Sequence, residues 1–226
     1  SVRRDGLCQL PYANRWGTFP GVSVGWTVSN ENFMQSIRPT LSDLKLRASY
    51  AKVGNTDIGN YPFMSLYGNA RYGDATGLAL IQGGNPDLKW ETSVKYDYGV
   101  DFGFFNNRLT LSADYFINDQ NDIILDRPVS PLLGIPNNNI RQNIGASKNS
   151  GIEFSANADI IKKSDLVWNV GANVSFVKNE VTALVDGSDI LYNIDSNRQQ
   201  VGIIRIGESI RSLYGFEYWG VNPANG

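Results

Sequence analysis

Residues 90–105 read WETSVKYDYGVDFGFF. From Trp90 to Phe104 the even positions are Trp, Tyr, Val or Phe, with Thr92 the exception. The odd positions are Glu, Ser, Lys, Asp or Gly. Such period-two alternation specifies a β-strand with two unlike faces. Its length is the constraint: residues 90–104 at roughly 3.3 Å each span about 50 Å, whereas strands of soluble domains usually stop at about five or six residues. A chain with this strand needs an apolar medium of matching depth on one side and a polar space on the other.

The pattern recurs. Val22, Val24, Trp26 and Val28 oppose Gly21, Ser23, Gly25 and Thr27, and Leu44, Leu46, Ala48 and Tyr50 oppose Lys45, Arg47 and Ser49. In RLTLSADYFIN, Leu109 to Ile117 alternate with Arg108, Thr110, Ser112 and Asp114, and Phe116 breaks the rule. GIEFSANADII (151–161) and VWNVGANVSFVKN (167–179) continue the series. These segments predict six long strands, a truncated one before Asp5 and a further one near SLYGFEYWG, about eight in all.

Connections alternate in length. FNN after Phe104 and KKSD at 162–165 are hairpin turns, whereas 52–89, 118–148 and 178–210 read as long loops rich in Asn, Gly and Pro. Compact soluble domains rarely carry several such loops. Tight turns at one end and long loops at the other are the layout of outer-membrane β-barrels. The expected fold is therefore all-β: a transmembrane antiparallel barrel segment, its even face toward lipid and its odd face toward a polar lumen. Trp90, Phe102, Phe104 and Phe105 are expected to form an interfacial girdle. A soluble β-sandwich glycan-binding module is the alternative, since its core face would also be apolar.

Composition narrows the chemistry. No histidine is present, which removes Ser-His-Asp and Cys-His catalysis and His-ligated metals. The one cysteine, Cys8, allows no internal disulfide and no multi-cysteine zinc site. Net charge is −2 with no basic block, so nucleic acid is not an expected partner. No apolar run reaches the length of a transmembrane helix. No enzyme activity and no cofactor are expected.

Several stretches resemble the barrel of SusC/RagA-type TonB-dependent outer-membrane transporters. They are RRDG (3–6), NRWGTFPGVSVGW (14–26), LKLRASYAKVGN (44–55), NPDLKWE (85–91), NNRLTLSADYF (106–116) and NIGASKNSGIEF (143–154). They occur in the family's order across nearly the whole chain. Ala51, Ser150 and LCQLPY (7–12) depart from the usual pattern, which touches loops and one strand end. The resemblance implies a 22-stranded barrel of a Gram-negative outer membrane, plugged by an N-terminal domain and energised through TonB. It also implies a SusD-like extracellular lipoprotein lid and oligosaccharide or peptide cargo. Residues 1–226 would then be a partial barrel domain, with plug, TonB-contacting segment and terminal strands outside it. A siderophore receptor or a passive porin is the alternative within barrels.

Tyr61, Tyr67, Arg71 and Tyr72 are the substrate-binding candidates, because aromatic planes beside an Arg suit sugar or peptide recognition. Glu91, Lys95, Asp97 and Asp101 are expected to face the lumen, pairing with adjacent strands or the plug. DQND (119–122) and DGSD (186–189) lack the EF-hand calcium spacing and are read as solvated loop acids.

Overall fold

The computed structural model describes residues 1–55, 58–193, 200–218 and 220–221. Seven strands form one antiparallel sheet: β1 (Val2–Gly6), β2 (Trp16–Thr27), β3 (Leu41–Asn55), β6 (Glu91–Phe104), β7 (Leu109–Pro128), β8 (Asn139–Lys162) and β9 (Val167–Leu184). They pair in chain order, apart from the hairpin β4 (Leu66–Tyr72) and β5 (Ala75–Gln82), which is inserted between β3 and β6 as its own sheet. A small third sheet holds β10 (Ile190–Asn193), β11 (Gln200–Ile204) and β12 (Ser212–Leu213).

Register keeps the two faces distinct across the sheet, because antiparallel partners share a side. Val24, Ala48, Tyr98, Tyr115, Ile152 and Phe176 form one continuous apolar row across six strands. On the opposite face the matching row is Gly25, Arg47, Gly99, Asp114, Glu153 and Ser175. Among the described residues no second sheet is paired or stacked over the apolar row. Val22, Val24, Tyr98, Tyr115, Ile152, Phe154, Val174 and Phe176 are all exposed. A β-sandwich would have buried them between its sheets. So large an apolar surface needs another apolar medium against it.

Phe116, which broke the alternation, lies opposite Gly151, and its ring covers the space that a Gly151 side chain would occupy. A large residue facing a glycine keeps the polar face packed without adding volume. The turn after β6 explains its own sequence. Phe105, Asn106 and Asn107 are all left-handed, with φ of 54°, 56° and 60°, a region that Asn tolerates and most residues avoid.

Three expectations need correction. The segment 118–148 is mostly strand, since β7 runs to Pro128 and β8 begins at Asn139, leaving only residues 129–138 between them. At 24 residues β8 would extend to about 80 Å, far more than a bilayer's roughly 30 Å hydrocarbon core requires. Within SLYGFEYWG, the described strand is only Ser212–Leu213, which pairs with β11 and not with the seven-stranded sheet. The chain there touches β9 briefly, through Val181 N–H to the Glu208 carbonyl and Gly207 N–H to the Val181 carbonyl, before turning away. Finally, Trp90 precedes β6 and is half-buried against Phe19 (centroids 5.3 Å apart, near edge-to-face) and the Leu10–Ile58–Leu88 cluster. Neighbouring protein therefore shares in covering its ring. Phe102 and Phe104 do stack at the opposite strand end.

One irregularity runs across three strands. The β7–β8 register shifts between Gln120 and Ile124, with Asp122 left-handed at φ 59°, and the β8–β9 register shifts between Ala146 and Ser147. Bulges of this kind bend a ladder and raise its twist. Below this row, toward the short turns, β7 keeps twelve regularly paired residues from Leu109 to Gln120. Above it the strands continue into the long connections.

Candidate functional site

The two hydrophobic clusters of the described residues sit at the long-connection end, while Val28 and Met34 are buried singly at the other. Leu10 and Leu88 are fully buried with Ile58, and a second cluster joins Ile144, Val181, Leu184, Ile190 and Ile204. The segment NPDLKWE is clamped there by side-chain amides. Asn143 donates to the Lys89 and Asp122 carbonyls and accepts from the Lys89 N–H, and Asn14 donates to the carbonyls of Asp87 and Leu88. The Asn85 side chain receives the Asp87 N–H in a local turn and donates to the Arg141 carbonyl. Three separated stretches of sequence are thus tied to the top of β6.

Above this clamp lies a cleft of about 730 Å³, walled by Glu91, Asp126, Arg141, Asn139, Tyr192 and Ile204 among others. A second space of about 420 Å³ shares Asp126, Asn139 and Arg141 with it and reaches Asn60, Pro62 and Gln82. Both volumes are of the size that small ligands occupy. Asp126 and Arg141 are register partners on β7 and β8, with the guanidinium 3.7 Å from the carboxylate, and Arg141 also donates to the Ile58 carbonyl. Both side chains keep about half of their surface exposed, so each can still meet a ligand. The β10–β11 wall is latched by ion pairs from Arg127 to Asp186 (3.0 Å) and from Arg205 to Asp189 (2.7 Å). The hydrogen bond from Arg205 holds the Asp189 carboxyl below the usual carboxylate range. Three of the four acids of DQND and DGSD are accordingly not simply solvated: Asp122 pairs with Lys89 at 3.0 Å, and Asp186 and Asp189 have arginine partners. Among the described residues no group of acids is arranged to hold a metal ion.

Glu91 lines the cleft, accepting from the Ile124 N–H (2.8 Å) and the Asn55 amide (2.7 Å). Asp101 lies further down the polar face, where Arg47 binds it through two nitrogens at 2.8 and 3.1 Å and reaches Asp114 at 2.8 Å. Gly99 makes this possible. It lies directly across from Arg47, where a Cβ would stand 2.6 Å from the guanidinium carbon. Lys95 and Asp97 share that polar face, in register with Asn118 and Phe116, and take part in no ion pair among the described residues.

The aromatic candidates are not brought together. Tyr61 sits in a turn with φ 50° and its ring against Phe63, while Tyr67 and Arg71 share one face of β4, about 13 Å apart along the strand. None of these three lines either cleft, and the side chain of Tyr72 lies outside the described residues. Sequence reasoning missed Asp126 and Arg141. The signal was a pair of opposite charges equidistant from the tip PLLGIP, which marks them as partners in a hairpin longer than expected.

Residues 2–222 match the family described as TonB dependent receptor-like, beta-barrel. TonB-dependent receptor P3 of Formosa agariphila is 37% identical over 98% of this chain, and TonB-dependent receptor SusC of Bacteroides thetaiotaomicron is 31% identical over 96%. The solved structure of the RagAB peptide transporter superposes with a TM-score of 0.85 at 32% identity over 98% of the chain. The chain spans only 22%, 23% and 24% of these three relatives respectively.

Proposed function

Because the chain belongs to the TonB-dependent receptor β-barrel family, we propose that it forms wall and outer vestibule of an outer-membrane importer. That importer is energised through TonB, takes up oligosaccharides or peptides, and works beneath a SusD-like extracellular lipoprotein. In this reading the polar face lines the lumen, so Glu91, Lys95, Asp97 and Asp101 look into the conduit. Tyr67 and Arg71 on β4, with Tyr61 and Tyr72 nearby in sequence, offer outer contacts to cargo or lid.

The observation that carries the proposal is the paired cleft around Asp126 and Arg141, at the end where the long connections gather. A carboxylate, a guanidinium and the amides of Asn137 and Asn139 provide donors and acceptors of both kinds, as hydroxyl-rich or peptide cargo requires. The relatives point the same way: one is the RagAB peptide transporter and another is SusC. The test is uptake by cells carrying the full-length protein, with labelled oligosaccharides and labelled peptides offered separately. The double variant Asp126→Ala, Arg141→Ala should lower uptake of one class several-fold while the barrel still shows heat-modifiable gel mobility. Uptake unchanged by the double variant, or unchanged in cells lacking TonB, overturns the proposal.

A further inference from the structure

A separate hollow, of about 400 Å³, opens on the other side of the sheet. Its lining is almost wholly apolar: Ala113, Ala156 and Ala172 lie between the larger Phe102, Leu111, Phe154 and Val174. Register explains the hollow. Leu111, Ala156 and Ala172 are consecutive partners across β7, β8 and β9, and Ala113, Phe154 and Val174 form the next row. Two alanines side by side leave a trough beside a ridge carrying Phe154, which is itself exposed.

The trough belongs to the continuous apolar face of an outer-membrane barrel, so the bilayer is the medium already in contact with it. Its depth in the membrane also follows from the strands. Phe102 and Leu111 are each three residues from the ends of the 105–108 turn, about 10 Å. Short turns of such barrels face the periplasm, which places the trough in the periplasmic half of the membrane. Beyond it the turns carry Arg108, Lys162 and Lys163, with Asp159 and Asp165 as the acids beside them. Lys162 is bound to Asp159 at 3.1 Å, and Lys163 takes part in no ion pair among the described residues. An apolar trough ending at a basic turn complements a molecule with an acyl chain and a phosphate.

We infer that this trough is a binding site for one acyl chain of a periplasmic-leaflet phospholipid, whose phosphate lies at the Lys162–Lys163 turn. The site rests on the barrel fold alone and is independent of the cargo reading.

The test uses the full-length receptor in phospholipid vesicles containing a phosphatidylglycerol with a photoreactive diazirine in mid-chain. After irradiation, labelled peptides are mapped by mass spectrometry. Labelling should concentrate on peptides covering 111–113, 154–156 and 172–174, severalfold above the peptide carrying Val22 and Val24 on the same apolar face. Ala172→Phe fills the trough and should remove that excess, and Ala156→Leu should reduce it. Val24→Phe should leave it unchanged, each variant being scored for folding by heat-modifiable mobility. Equal labelling of both regions, or an excess that persists in folded Ala172→Phe and Ala156→Leu barrels, overturns the inference. So does native-membrane material in which the trough cross-links to lipopolysaccharide or to a protein instead of a phospholipid.

Discussion

Gly99 shows how a single absent side chain organises the polar face. Arg47 reaches over it to bind carboxylates on two successive strands, so Asp101 and Asp114 tolerate each other's nearness through one shared cation. Across from Asp114, Glu153 adds a third acid with no ion pair of its own among the described residues. Gly99→Ala would drive a Cβ into the guanidinium and Asp114; both are ends of flexible side chains that can swing aside, so the cost should be about 1 kcal/mol and come from the disturbed Arg47 pairs. Gly25→Ala meets only ordinary contact with Lys45 at 3.5 Å and should stay within about 0.5 kcal/mol of the parent. Urea unfolding of the full-length barrel in vesicles measures both, and equal losses would show that Gly99 is not reserved for the arginine. The pairs themselves are a quarter to a third exposed, so their contribution lies in neutralising the wall more than in stabilising it.

Strands were legible in the sequence wherever their two faces meet different media. Val100 and Asp101 are neighbours on β6, yet Val100 pairs with Leu46 and Ala113 on the apolar side and Asp101 with Lys45 and Ser112 on the polar side. Val100→Arg near the bilayer midplane should cost about 2–4 kcal/mol, and Asp101→Arg much less. The folded fraction of the full-length protein on heat-modifiable gels decides, and equal losses would contradict the assignment of faces. Beyond the membrane both faces are wet, so the apolar signal fades while the hydrogen-bonded ladder continues. That is why Asn118–Pro128 and Asn139–Lys148 resembled loops and are strands. The same loss of contrast hid Asp126 and Arg141, whereas Glu91 and Asp101 could be placed by parity alone. Trp90 marks the other limit: period two gave its side of the strand but not the loop residues Leu10, Ile58 and Leu88 that pack around it.

The β7–β8 hairpin carries the tip PLLGIP well above the barrel band, with Leu132 96% and Leu133 62% exposed. Apolar residues held out on a structured arm suit a partner protein better than solvent. Deleting residues 130–137 and closing the hairpin with a short turn should leave the barrel folded. It should also abolish recovery of the proposed SusD-like lipoprotein with the full-length receptor from native membranes in mild detergent. Co-recovery unaffected by the deletion would remove the tip from the proposed lid interface. The row of register shifts at 120–124 and 146–147 gives this arm a mechanical character. A hydrogen-bonded ladder resists bending at every regular rung, so strain imposed at the tip concentrates where the rungs are out of step. Anything that grips Leu132 pulls on a stiff beam with one elbow, set where the arm leaves the barrel band. The clamp of Asn143, Lys89 and Asp122 lies on that elbow, which makes the top of β6 the first part of the wall to receive the load.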